Sequence, residues 1–398
     1  MHYYLAITAA LAVGVVARPA NKPTGFIIKQ VKNPNFHRNG PAEFAKALNK
    51  WLPYSETWDS PAIERRGDGS VVTNPASGSG DGADQEYLCP VNINGQVFKL
   101  DFDTGSSDLW VRGPTIPASG SHTAFAPKNG DNPIPNETWN ITYGDKTGAS
   151  GIVYSETVNV GPVAVTKQAV EVATSISPTF QRDPADGLLG LAFSGINTVK
   201  TNGQRTPQNT FFQNAITQKI LNKPVFGVSL KYKAAGSYDF GFVRSTTNTT
   251  LAYTPVDRSH GFWGFTPSGV QIGGKAVSSS SSLTGIADTG TTLLLLPDDI
   301  VASYYQGTGA ALANGHYTFP CSTTLPDFQV VIGAATITIP GKFINYDTVS
   351  KGSTTCFGGI QPSSQLKMNI YGDIFLKAAY VVFDATVGAP KLGFAPGS

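Results

Sequence analysis

Apolar residues in this chain recur in short runs set apart by glycine, proline and hydroxyl residues, as in "EYLCPVNI", "DGLLGLAF" and "MNIYGDIFL". Val, Ile, Thr, Tyr and Phe fill these runs, which predicts many short strands and a fold that is mainly β. Three stretches read as helical instead: 41–51, 207–219 ("PQNTFFQNAITQK") and 297–306. Only 14% of residues are charged, while Gly is 43 and Pro 27 of 398, so neither a helical nor a disordered chain fits. This length can bury a large core and form more than one domain.

One strand-like run carries an aspartate where an unpaired carboxylate would be costly. It reads "LDFDTGSSDLWV" over 100–111, and "TGIADTGTTLLLLP" over 284–297 repeats the Asp-Thr-Gly with apolar residues before it and hydroxyls after. A single copy could be an Asx-turn between strands. A given tripeptide turns up by accident in roughly one chain in twenty of this length, and twice far more rarely. The repeat extends further: Gly190 in "DGLLGLAF" lies 87 residues beyond Asp103, and Gly372 in "MNIYGDIFL" lies 84 beyond Asp288. Each of these segments leads into an aromatic, Phe193 or Phe375. The layout is that of an internal duplication in which each half supplies one aspartate to a shared site.

Two facing carboxylates cannot both ionise cheaply, so they share a proton and their apparent pKa values separate. The ionised member can take a proton from a water held between them while the other donates to a carbonyl oxygen. That arrangement hydrolyses a peptide bond in an acidic range without a covalent intermediate. Gly105 and Gly290 let the backbone approach each carboxylate, Ser106 and Thr291 can hydrogen-bond the outer oxygens, and Thr104 and Thr289 can reach across to the opposite loop.

The net charge of +2 hides a partition. Residues 5–16, "LAITAALAVGVV", are apolar, too short to span a bilayer and followed by small residues, as in a secretory signal peptide over 1–17. Residues 18–66 hold nine Lys/Arg against four acids, and the rest of the chain holds 20 against 23. A basic leader before an acidic body could be a nucleic-acid-binding tail. Its dibasic end, Arg65-Arg66, favours instead a removable pro-segment that neutralises acidic groups on the body, followed by a Gly/Ser-rich junction over 67–83. Lys29 and Lys32 are candidates for the lysine that enters the site. In an exported protein Cys321 and Cys356 could close a loop worth about 3–4 kcal/mol, leaving Cys89 as a small buried hydrophobe. Sequons stand at Asn248, Asn136 and Asn140, with Asn248 in the most loop-like surroundings.

Taken together, "DFDTGSSDLW", "ADGLLGLAF", "YDFGFV", "GFWGF", "GIADTGTTLLLLP", "LPDF", "GDIFLKAAYVVFD" and "KLGFAP" resemble the pepsin-like aspartic endopeptidases, most of all the secreted fungal enzymes of the aspergillopepsin and penicillopepsin type. The leader stretch "GPAEFAKALNKW" resembles the pro-segments of that group. The resemblance implies an all-β bilobal acid-protease fold with an N-terminal lobe over 84–255, a C-terminal lobe over 256–398, and Asp103 and Asp288 meeting in the cleft between them. It implies that "WNITYGDKTGASG", 139–151, is a flap in which Tyr143 hydrogen-bonds Trp110 while Gly144 and Asp145 contact the substrate backbone. Lys146-Thr147 depart from the Gly-Ser often found after the flap aspartate, and Lys146 would oppose a substrate lysine before the scissile bond. Large apolar residues are therefore expected on both sides of the cleaved bond.

Other chemistries lack their residues. There is no G-x-S-x-G, no HExxH or close His/Cys/Asp cluster, no P-loop and no G-x-G-x-x-G, so no metal or cofactor is expected. The expected partners are protein or peptide substrates and the chain's own leader, with no nucleic acid, no membrane and a monomeric, secreted state. The rival reading is a catalytically inactive binder on the same fold, which would normally have lost an aspartate, a loop glycine or the flap tyrosine.

Overall fold

The computed structural model describes residues 26–29, 31–32, 40–58, 87–117, 122–128, 130–142, 148–245, 250–350, 352–366 and 368–397. Strands dominate, arranged in five sheets of ten, six, five, four and four strands among the described residues, with short helices between them.

The two halves repeat one motif around their aspartates. In the first half, Gln96–Asp103 runs parallel to Gly187–Gly190, and Leu109–Arg112 returns antiparallel to that same strand. In the second half, Gly285–Ala287 runs parallel to Asn369–Tyr371, and Leu294–Leu296 returns antiparallel to it. Each Asp-Thr-Gly loop thus spans the end of a later strand that is inserted between its own two arms, and Asp103 lies opposite Gly190. The second inserted strand stops just before Gly372, where a Cβ would collide with the carbonyls of Thr291 and Leu293. The spacing of aspartate and later glycine in the sequence therefore records a real duplication.

A six-stranded sheet lies beneath both halves, in the order Phe26–Lys29, Ala234–Phe240, Val225–Lys231, Ala379–Asp384, Lys391–Pro396, Ala252–Pro255. "AYVVFD" has all six residues buried, the mark of a strand covered on both faces. Aromatic rings fill the space above it: Phe226 stacks on Phe383 with centroids 4.6 Å apart, and Trp263 meets both edge-on. Half-buried strands such as Glu137–Thr142 and Phe328–Ile332 alternate in the ordinary way. Asn94 and Gly95, both with positive φ, form the two-residue hairpin that joins Tyr87–Ile93 to Gln96–Asp103.

The expected helices form as Gly40–Trp58, Phe211–Thr217 and Asp298–Tyr305. The second is shorter than the apolar pattern suggested because Thr210 caps it through a reciprocal box with Gln213, placing Pro207 outside. Cys321 and Cys356 form a disulfide with Cα atoms 4.8 Å apart, and Cys89 is free and buried. Among the described residues no helix is long and apolar enough to cross a membrane, and no group of three or more His, Cys, Asp or Glu could hold a metal ion.

Candidate active site

The two Asp-Thr-Gly loops face each other with near-twofold reciprocity. Thr104 N–H donates to Thr289 Oγ1 at 3.0 Å, and Thr289 N–H donates to Thr104 Oγ1 at 3.0 Å. Each hydroxyl in turn donates to a carbonyl of the opposite half, Thr104 to Ala287 O at 2.9 Å and Thr289 to Phe102 O at 2.6 Å. All four groups are buried, so each bond also satisfies a group that water cannot reach. The threonines tie the two halves together.

This grip sets the carboxyls of Asp103 and Asp288 side by side. Gly105 N–H donates to Asp103 Oδ1 at 2.8 Å and Gly290 N–H to Asp288 Oδ1 at 2.9 Å. Ser106 Oγ donates to Asp103 Oδ2 at 2.7 Å, and the Thr291 hydroxyl hydrogen-bonds Asp288. The glycines are required by space: a Cβ on Gly105 would strike Asp288 Oδ1, and one on Gly290 would strike Asp103 Oδ1. Each loop glycine is thus pressed against the other half's aspartate.

The cation between the aspartates is Lys50, from the leader helix. Its Nζ lies 2.9 Å from Asp103 Oδ1 and 3.2 and 3.1 Å from Asp288 Oδ1 and Oδ2. Lys29 and Lys32 are not the inserted lysine; they lie in the leader strands Phe26–Lys29 and Val31–Lys32, whose backbones pair with Ala234–Phe240 and Tyr87–Ile93. The helix seats a face made of Phe44, Ala47, Lys50 and Trp51, all buried. Trp51 Nε1 donates to Thr291 Oγ1 at 3.0 Å, and its ring meets Phe262 at 5.0 Å. Thr292 Oγ1 donates to Glu43 Oε2 at 3.0 Å, and Phe44 packs against His316 and Phe357.

The electrostatics follow from this burial. Desolvation pushes Asp288 up to about 6, against the pull of Lys50 and with the charge of Asp103 adding to the rise. Desolvation acts on Asp103 too, but Lys50, a hydrogen bond from Asp288 and the Ser106 hydroxyl together hold its carboxyl below the ordinary 3.8. The two aspartates, otherwise alike in their loops, are split into an ionised member and one that retains a proton into weakly acidic solution. Burial disfavours the charged form of Lys50, but the two carboxylates overcome this and raise its pKa.

The strands flanking the expected flap pair as a hairpin, with Thr142 opposite Gly148, while Tyr143, Gly144 and Asp145, with Lys146 and Thr147, lie outside the described residues. Trp110 is buried and stacks on Trp139 at 6.1 Å, and its Nε1 has no hydrogen-bond partner among the described residues. Asn136 and Asn140 are exposed, and Asn248 lies outside the described residues. Sequence reasoning missed Lys50 and Trp51. The available signal was their place at the end of the amphipathic stretch 41–51, whose apolar face runs through Phe44, Ala47 and Trp51.

Residues 86–397 match the eukaryotic aspartyl protease family. The chain is 46% identical to penicillopepsin-3 of Penicillium janthinellum, over 99% of this chain and 97% of that protein. It is 48% identical to aspergillopepsin-1 of Aspergillus fumigatus, over 98% of each. The crystal structure of an aspartic proteinase from Irpex lacteus superposes with a TM-score of 0.65 at 24% identity, covering 79% of this chain and 95% of that one, which speaks for the fold. With two Asp-Thr-Gly loops closed on each other across a duplicated β fold, the chain belongs to the eukaryotic aspartyl protease family and is an aspartic endopeptidase of the pepsin type.

Proposed function

We propose that this acid endopeptidase is made as a secreted zymogen in which Asp103 and Asp288 are the catalytic pair and residues 18–66 are an intramolecular inhibitor. The observation that carries this reading is Lys50 Nζ within 3.2 Å of carboxylate oxygens from both halves. A cationic side chain held by both aspartates occupies the place where a peptide and a water would react, so this form is latent. In the freed site one aspartate is ionised and the other protonated. The ionised carboxylate takes a proton from the attacking water, and the protonated one donates to the carbonyl oxygen of the scissile bond. Without Lys50 the charge that lowers both carboxyls is gone, and their mutual repulsion keeps one proton on the pair over an acidic range.

The supporting groups have matching roles. Gly105 and Gly290 N–H, Ser106 and Thr291 fix the carboxyls, and Thr104 and Thr289 fix the halves. To Tyr143, Gly144 and Asp145 we assign the closing over substrate, with Trp110 as the hydrogen-bond partner of the tyrosine. In the latent form Trp51 of the leader packs on Phe262 beside Gly105, and a large apolar substrate side chain takes that place once the leader leaves. A signal over 1–17 and cleavage at or after Arg65-Arg66 would release the two-lobed enzyme outside the cell.

Hydrolysis of denatured globin at about pH 3–4 by the processed chain, lost in Asp288→Asn with the fold retained, tests the catalytic assignment. An Asp288→Asn enzyme that still cleaved globin at the wild-type rate would overturn it. Cleavage-site profiling tests the specificity: abundant cuts after lysine would contradict the apolar preference and the assigned repulsion by Lys146.

A further inference from the structure

Behind the first active-site loop lies a second pair of carboxyl groups that the reaction does not use. Asp108 ends the loop that begins at Asp103, and Glu171 lies on the neighbouring strand Val163–Ile176, each only 1% exposed. They converge on one amide: Asn197 Nδ2 donates to Glu171 Oε1 at 2.8 Å and to Asp108 Oδ1 at 3.3 Å. Asp108 Oδ1 also accepts from Thr198 N–H at 2.9 Å and Thr198 Oγ1 at 2.8 Å. Glu171 Oε2 is fully buried and meets no donor among the described residues.

Neither carboxyl makes an ion pair among the described residues. On the strand side, Trp110 and Val153 face Glu171 in register and bring no charge. The cation whose field reaches Asp108 is Arg205, whose guanidinium is engaged by the carbonyls of Gly195 and Asn197. A buried carboxylate with an oxygen that no donor satisfies, beside another carboxylate, would cost several kcal/mol. An acid proton on Glu171 removes that cost, because the two carboxyls then share a hydrogen bond.

We propose that Glu171 holds a proton shared with Asp108, and that this proton is a pH-sensitive fastening for the loop carrying Asp103. Burial, the charge of Asp108 and the hydrogen bond to it all hold the Glu171 proton on, and burial likewise raises Asp108. The fastening reaches the loop directly: Asn197 Nδ2 also donates to Ser107 O at 3.3 Å, Ser107 Oγ donates to Phe193 O at 2.7 Å, and Gly190 N–H donates to Asp108 O at 2.9 Å. When the pH rises far enough to strip the proton, two buried anions face each other across one amide and this end of the loop is driven open. Glu171 and Asp108 are thus positioning residues whose grip is firm in acid and fails towards neutrality. The inference concerns the loop that the proposed function makes catalytic and rests on that reading.

The test is irreversible inactivation against pH. The processed chain is held at a series of pH values from acid to mildly alkaline, returned to acid and assayed on globin, each variant normalised to its own unincubated activity, with circular dichroism recorded in parallel. Returning to acid separates this loss from the reversible titration of Asp103 and Asp288. In Glu171→Gln the amide supplies the donor without an ionisable proton, so the pH of half-inactivation should rise by about one unit or more. Asp108→Asn removes the same repulsion from the other side and should move it in the same direction, which keeps the test alive if one variant folds poorly. A carbonyl stretch of a protonated carboxylic acid should be present in wild type in weakly acidic solution, above the ordinary glutamate range, and missing from Glu171→Gln. The difference spectrum cancels the contribution of Asp101, pushed up to about 8 by burial. Variants that inactivate at the wild-type pH, or lose stability equally in acid and at neutrality, would overturn the proposal. A wild-type chain that never cleaves globin, yet unfolds with the expected pH shift between variants, would instead count against the catalytic reading alone.

Discussion

Replacing Lys50 by methionine tests the latent state most directly, because the side chain keeps its length and loses only its charge and donors. The Lys50 side chain is 7% exposed and its ammonium bonds both aspartates. Removing one partner of a buried ionic cluster leaves the others uncompensated and costs about 3–5 kcal/mol. Asp288 softens this loss, since it already retains its proton up to about 6 with Lys50 present and would retain it higher without that charge. One carboxylate, Asp103, is then left without its partner, so the lower part of the range applies near pH 6 and the upper part above it. In populations this is roughly a hundred- to a few-thousand-fold shift away from the docked leader. Apparent affinity falls in proportion to the fraction of competent protein, so a peptide inhibitor that mimics the tetrahedral intermediate reads the shift directly. Full-length Lys50→Met at pH 6, its leader shown intact by mass, should bind such an inhibitor at least about a hundredfold more tightly than full-length wild type. Equal affinities would mean that the remaining leader contacts suffice, and that the lysine is a passenger in the cleft.

Other expectations are simpler. Thr289→Ala removes the hydroxyl that accepts from Thr104 N–H and donates to Phe102 O, leaving the buried Thr104 N–H unpaired while Phe102 O keeps the Tyr238 hydroxyl; we expect a loss of about 1–3 kcal/mol in denaturant titration and a fall in kcat larger than any change in KM. Breaking the Cys321–Cys356 bridge, which closes a separation of 35 residues, should cost about 3–4 kcal/mol by the same titration, and Cys356→Ser at full stability would contradict this. Two groups should loosen the leader as pH falls. Burial lowers His316 beneath Phe44 from its ordinary 6.5, so its contribution to docking is complete above 6.5 and is lost as pH falls through the lowered value; the lowered Asp103 contributes above 3.8 and is lost below it. His316→Phe should therefore keep the leader bound to a lower pH in stopped-flow activation than wild type, while an unchanged activation profile would remove the histidine from the account.

Much of the site was legible because its chemistry is local. Asp103, Gly105 and Ser106 lie within four consecutive residues, as do Asp288, Gly290 and Thr291, and the bonds that fix each carboxyl are made inside those loops. The crossing of Thr104 and Thr289 followed from the duplication, since two copies of one loop can meet symmetrically in few ways. What was not legible depends on where distant segments come to rest. The amphipathic stretch 41–51 marks Lys50 as a helix residue, but its place between the aspartates appears only when that helix is laid across the cleft with Trp51 against Phe262. Glu171 looks like an ordinary strand residue, and its role exists only because Asp108 and Asn197, 63 residues before it and 26 after it, close on it in the folded lobe. Tertiary encounter, not local preference, decides such residues.

The six-stranded sheet has a consequence for how the molecule is made. Its fifth strand, Lys391–Pro396, follows all of its companions in the chain, yet it is hydrogen-bonded on both sides, to Ala379–Asp384 and Ala252–Pro255. Until residues 379–396 emerge, Val225–Lys231 lacks its neighbour Ala379–Asp384 and Ala252–Pro255 lacks Lys391–Pro396, long after translation of the first half is complete. The leader strand Phe26–Lys29 is synthesised before its partner and covers the outer edge of Ala234–Phe240 throughout that wait. Nascent chains are therefore shielded at one margin, and loss of residues 389–398 leaves an open seam in that sheet, exposed to aggregation and proteolysis.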